Sequence, residues 1–126
     1  MEIVRECAER FAAGGDVREY FDPEVVWDTT ASGMPLAGVY NGWEEVARFW
    51  RDWLGPWGDW EIEHTEYIDA GEAVVLVSRQ VGTGKGSGVR IEQDFFAVWD
   101  VKNSKVVRYR LFESRREALA AAGLAE

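Results

Sequence analysis

The sequence predicts an α+β fold, with N-terminal helices packed on one face of a strongly curved, mostly antiparallel sheet. The expected order is ααβαββββ plus a short C-terminal helix. Three observations predict it. Apolar residues recur at helical spacing near the N-terminus and again between residues 43 and 54. From Trp57 onward the pattern changes to apolar runs separated by short turn clusters, as in hairpin-linked strands. Helices first and a meander last imply α+β rather than a parallel sheet.

Residues 2–13 place Ile3, Val4, Cys7, Ala8 and Phe11 on one helical face, and "GG" at 14–15 ends the run. Asp16 with Glu19 forms a capping box for a short second helix, "VREYF", which Asp22-Pro23 stops. "EVVWDTT" (24–30) reads as a strand and "ASGMPLAG" (31–38) as a loop. Asn41 with Glu44 caps the next helix, which runs to about Leu54 before Gly55-Pro56. Strands follow in "WEIEHTEYI", "AVVLVSRQVG", "VRIEQDFFAVWDV" and "KVVRYRLFE", with turns at "DAGE", "TGKGSG" and "KNS". Ser114 with Glu117 opens the closing helix "RREALAAAG".

At 126 residues the chain is expected to form one domain, 1–126. A net charge of −9 argues against nucleic acid and against anionic membranes. No window reads as a signal peptide or a membrane span, so a cytoplasmic location is expected. Cys7 is the lone cysteine and His64 the lone histidine, which leaves no thiolate or imidazole cluster for a metal. The glycine-rich "GTGKGSG" lacks the Ser or Thr after Lys85 and the helix that a phosphate loop needs, so it reads as a hairpin tip.

Five of the seven tryptophans lie between Gly38 and Trp60. Indole rings serve equally as core filling and as the wall of a ligand cavity. The segments "GGDVREYFDPEVVWD", "GVYNGWEEVARFWRDW", "YIDAGEAVVLVSRQVGTGKGSGVRIEQDFFAVWDVKNSKVVR" and "REALAAAGL" bear on the choice, which stays open for each single ring. Together they resemble the SnoaL-like domains of the nuclear transport factor 2-like superfamily. That superfamily shares a cone-shaped fold with ketosteroid isomerases and polyketide cyclases.

The resemblance implies a hollow cone with the indole-rich helix across its open face. It places Phe49 and Trp50 at the border of a pocket, with Trp53 one turn on, and Trp43 and Trp57 at the rim or in the core. Trp27 and Tyr40 join them as candidate ligand contacts. It also places Asp28, at the end of "VVWD", where a ketosteroid isomerase carries its general base. A carboxylate in an apolar cavity has a raised pKa and can take a proton near neutral pH. His64 is a candidate acid or base of the kind polyketide cyclases use. Strand parity, taken in the register of the resemblance, turns Tyr109 and Glu113 inward on the last strand, Gln93 and Phe95 on the long strand, and Gln80 on the one before. Gln93 and Gln80 would orient a ligand carbonyl or hydroxyl.

The oxyanion donors of a ketosteroid isomerase, a Tyr and a protonated Asp, fall at Ala8 and Phe95, which argues against that activity. Limonene-epoxide hydrolases need an Arg-x-Asp strand motif, but Arg79 is followed two places on by Val81. Three readings stay open. One is a cofactor-free isomerase, cyclase or lyase acting on a hydrophobic ring compound through Asp28, aided by Tyr109, Gln93 or Glu113. Another is a non-catalytic module that binds or senses an apolar metabolite. The third is a protein-interaction domain. Val75, Val77, Val81, Phe96 and Val98 make the outer sheet face apolar, so a homodimer through that face is expected, with crossed ion pairs from Arg79, Arg90, Arg108 and Arg110 to Glu92 and Asp94.

Overall fold

A computed structural model of the chain describes residues 1–33 and 37–124, so Met34, Pro35 and Leu36 of the expected loop lie outside the described residues. The elements run α1 (Glu2–Ala12), a 3-10 turn (Arg18–Tyr20), β1 (Phe21–Asp28), β2 (Val39–Asn41), α2 (Trp43–Leu54), β3 (Trp57–Asp69), β4 (Ala73–Gly84), β5 (Arg90–Lys102), β6 (Lys105–Phe112) and α3 (Arg115–Ala121). The strands form one sheet in the order β2-β1-β6-β5-β4-β3. The expected α+β architecture and its element order stand, with two additions: the short strand β2 and a parallel pairing of β1 with β6.

Each helix is held by the face its sequence sets aside for burial. In α1, Val4, Cys7 and Ala8 are buried while the charged residues face water. In α2, Val46 and Phe49 are buried under a first turn that carries Glu44 and Glu45, where acidic groups suit the helix dipole. The N-cap of α2 falls at Gly42 rather than Asn41. Asn41 is drawn into β2 opposite Val26, and its N–H donates to Glu45 Oε1 at 2.9 Å instead of opening a box with Glu44. Gly42 takes φ 83°, a conformation that suits glycine, and its N–H donates to the Val25 carbonyl at 2.7 Å.

The second expected helix shrinks to the 3-10 turn. Asp16 Oδ1 accepts from the Arg18 N–H at 3.0 Å, but Glu19 pairs with Arg10 instead of closing a capping box. β1 starts at Phe21, three residues earlier than expected, because Phe21 pairs with Val106 of β6. The register then shifts between Phe21 and Val26. Pro23 lies in this irregular stretch and has no N–H to give a ladder.

The β5–β6 hairpin turns at Asn103 (φ 52°) and Ser104 (φ 62°) between the paired Lys102 and Lys105. Two left-handed residues in a two-residue loop match the sheet's twist, and glycine is favoured at the second. Ser104→Gly should therefore raise stability by about 0.5–1 kcal/mol, read as a higher urea midpoint at unchanged slope.

α3 opens as the sequence predicts, with the Ser114 side chain accepting from the Glu117 N–H at 3.1 Å. It lies on the outer sheet face, where Ala118 and Leu119 cover Val75 and Val98, both fully buried. Part of the apolar outer face is thus covered by the chain's own helix. The outer-face arginines expected to pair across a dimer are also paired within the chain: Arg79 and Arg90 with Glu92, and Arg108 and Arg110 with Asp100. Val77, Val81, Phe96 and Phe112 remain half-buried on that face.

Candidate functional site

Between α1, α2 and the inner sheet face lies a cavity of about 280 Å³. Its volume sits near the small end of the roughly 300–1,000 Å³ typical of ligand pockets. Its existence follows from the packing. A curved sheet of long strands has an inner face that two short helices cannot fill, and the side chains that meet there are large, flat rings. Trp27 stacks on Tyr109 with ring centroids 3.7 Å apart and planes 9° from parallel. Trp99 stands edge-on to Tyr109 at 5.2 Å. These three rings wall one end. On the helix side, Trp43, Ala47 and Trp50 form the α2 stripe that faces the cavity, and Phe11 of α1 meets Trp50 at 4.6 Å. Asp16 and Arg51 are the ionised residues of the lining, and both are exposed at the mouth.

Three polar side chains from β3 and β4 reach the opposite wall. His64 is fixed by both ring nitrogens. Nε2 lies 2.9 Å from the Ala8 carbonyl, which can only accept, so Nε2 carries the proton. Nδ1 then accepts from the Ser78 hydroxyl at 2.8 Å. Burial lowers the His64 pKa, opposed by the Ala8 carbonyl and by Glu9, and so favours this neutral tautomer. Gln80, 4% exposed, accepts at Oε1 from Trp60 Nε1 at 2.9 Å and from Trp53 Nε1 at 3.3 Å. Burial also raises Cys7 to about 12 and pushes Tyr109 further above the usual phenol range, so both are neutral in the wall.

The His64 shift has a sign that can be checked. The unfolded chain takes up the imidazole proton first, near the ordinary value of 6.5, and the native state takes it up only at lower pH. The contribution to stability is complete above pH 6.5 and is lost as pH falls through the folded value. His64→Asn should flatten this part of the acid limb, measured as urea midpoints at several pH values between about 7.5 and 5.

The expected residues separate into four groups. Trp27, Trp50, His64, Gln80, Phe95 and Tyr109 line the cavity together. Trp53 and Gln93 sit beyond Gln80 around a crevice of about 20 Å³, room for a water rather than a ligand. Phe49 is core, packed on Tyr40 at 4.9 Å, and neither ring lines the cavity.

Asp28 and Glu113 do not join the site. Adjacent strand residues face opposite ways, and Trp27 takes the inward position. The Asp28 carboxylate instead accepts from the Thr30 N–H at 3.0 Å and the Thr30 hydroxyl at 2.6 Å, tying down the loop. Glu113 follows the end of β6 and lies exposed over Gly33, where a Cβ would come within 1.9 Å of its carboxylate. Ser78 is the polar cavity-lining side chain that sequence reasoning missed. Its signal was its place two residues before Gln80 on the same strand face.

Among the described residues no group of three or more His, Cys, Asp or Glu is placed to hold a metal ion. No helix among them is long and apolar enough to cross a membrane.

Comparison with known proteins agrees with this α+β architecture. A SnoaL-like domain model matches residues 4–109. The chain belongs to the SnoaL-like domain family. An NTF2-like protein from Burkholderia thailandensis superposes with a TM-score of 0.80 at 26% identity, over 98% of this chain and 96% of that one. An NTF2-like protein of unknown function from Burkholderia pseudomallei gives 0.77 at 25% identity, over 95% and 94%. A protein with a ketosteroid isomerase-like fold from Catenulispora acidiphila, crystallised with trimethylamine, gives 0.72 at 16% identity, over 95% and 94%. No curated protein matches the sequence.

Proposed function

We propose that this domain binds one small, flat, apolar molecule inside the cone. The observation that carries the reading is the cavity of about 280 Å³ walled by Trp27, Trp43, Trp50, Trp99, Phe95 and Tyr109. An apolar cavity of about 150 Å³ holds benzene, so this one suits a compound of about two rings. Binding removes apolar surface from water at both ligand and wall, worth roughly 25 cal/mol per Å² before the ligand's lost freedom is counted. Naphthalene tests it. Titration should shift the indole N–H resonances of Trp27, Trp43, Trp50 and Trp99 while leaving Trp57, which lies outside the cavity, in place. Unmoved resonances up to the solubility limit would refute the reading.

A second reading, proton transfer on the bound compound, is favoured by one observation: His64 and Ser78 are hydrogen-bonded at 2.8 Å in the cavity wall. A neutral imidazole in an apolar site is a competent base once a ligand displaces the Ser78 hydroxyl from Nδ1. Asp28 has no part in it. Turnover of a bound ring compound that fell with His64→Gln and persisted with Asp28→Asn would support this reading, and the reverse pattern would refute it.

We also propose that two chains pair through the part of the outer sheet face that α3 leaves open, where Val77, Val81, Phe96 and Phe112 are half-buried. Sedimentation at micromolar concentration should give a dimer, and a monomer would count against it.

A further inference from the structure

We infer that the ligand carries a hydrogen-bond acceptor, a carbonyl oxygen on a neutral one- or two-ring compound, and that Gln80 is the residue that selects for it. The inference rests on the binding reading above and goes past it to the ligand's chemistry.

The argument starts from the direction of one amide. Trp53 and Trp60 reach the Gln80 side chain with indole N–H groups, at 3.3 and 2.9 Å. An indole nitrogen only donates, so the atom that receives both is the amide oxygen, and the usual ambiguity of an amide's orientation does not arise. The oxygen therefore points toward Trp53 and Trp60, which wall the crevice outside the cavity. The NH₂ group is the other arm of the same planar amide, turned away from the oxygen, and Gln80 also lines the cavity. It makes no hydrogen bond among the described residues, although Gln80 is 4% exposed. Its nitrogen keeps some accessible surface and is free to donate to an acceptor that reaches it.

Its neighbours tip the balance the same way. The Ser78 proton is committed to His64, and the His64 N–H to the Ala8 carbonyl. The Tyr109 hydroxyl makes no hydrogen bond among the described residues, and the N–H groups of Trp27 and Trp99 are buried without partners. Donors without a partner thus gather on residues that line the cavity. A ligand acceptor facing Gln80 would satisfy one of these donors, whereas a pure hydrocarbon would leave it unmet. A charged ligand group finds no counter-ion deeper than Asp16 and Arg51 at the mouth, which limits the ligand to a neutral molecule.

Matched probes test this: 1-tetralone, with a carbonyl, and tetralin, the same skeleton without it. Calorimetry should give the wild-type chain an affinity for tetralone at least tenfold above tetralin. Tetralone should also move the Gln80 side-chain NH₂ resonances, which tetralin leaves unmoved. Gln80→Leu should bring the two affinities to within about twofold by weakening tetralone alone. Should that variant misfold, the wild-type pair of affinities and the NH₂ resonances still decide. Equal binding of both probes to the wild type would overturn the carbonyl assignment and leave the binding reading standing. No binding of either would overturn both.

Discussion

Ala97→Phe should abolish ring binding, weakening affinity for naphthalene at least about a hundredfold, a loss of roughly 2.7 kcal/mol. Ala97 lies on β5, 3% exposed, paired with Leu76 and Leu111, and lines the cavity. A phenyl group there extends into space that no side chain occupies. The fold should survive, because overpacking costs about 1–3 kcal/mol where the core is already full and less where it is hollow. Calorimetry of binding and urea unfolding of the same variant separate the two effects. Unchanged naphthalene affinity would mean that the molecule binds elsewhere.

Trp27→Ala should destabilise the chain by about 4 kcal/mol, a large share of the 5–15 kcal/mol typical of a domain. Trp27 is 3% exposed and stacks on Tyr109 at 3.7 Å, with Phe21, Trp50 and Trp99 around it. Its removal takes one wall from the cavity and leaves the Tyr109 ring without its partner. Trp27→Phe should recover more than half of the loss, since it keeps an aromatic face and deletes an N–H that is buried without a partner. An alanine variant within 1 kcal/mol of the wild type would show that the stack contributes little.

Trp27 and its neighbour also mark what could be read from the sequence. Trp27 and Asp28 were both expected at the site, yet neighbours on a strand cannot both face inward. The apolar alternation Val25, Trp27 marks the buried face, at 0% and 3% exposure, and it outweighs the position suggested by resemblance. Glu113 failed for a different reason. Parity carried Tyr109 and Leu111 inward, but β6 stops at Phe112, before Glu113 can extend the row. Gln93 has the inward parity of Phe95 yet lies past the end of the cavity, because parity gives a direction and not a depth.

Some local signals held, whereas the Asp16–Glu19 and Asn41–Glu44 boxes gave way to the Arg10–Glu19 pair and to the pairing of Asn41 in β2. The Ser114 cap, the hairpin turns and the apolar faces of α1 and α2 depend on residues a few positions apart. The parallel pairing of β1 with β6 joins residues about eighty positions apart, and no periodicity records it. The same holds for α3 over Val75 and Val98, where an apolar outer face was legible but its cover was not. The Gln80 amide belongs to this second kind. Its two indole partners lie 20 and 27 residues away, so the group it presents to the cavity follows only from the folded chain.

The hollow itself is the claim on which binding, selectivity and both variants rest, and xenon reads it most directly. Xenon enters dry apolar cavities without needing a hydrogen bond. A crystal of the chain pressurised with xenon should show the gas between Trp27, Trp50, Leu76 and Phe95, with those side chains unmoved. A xenon-free interior with these rings closed on one another would contradict the account.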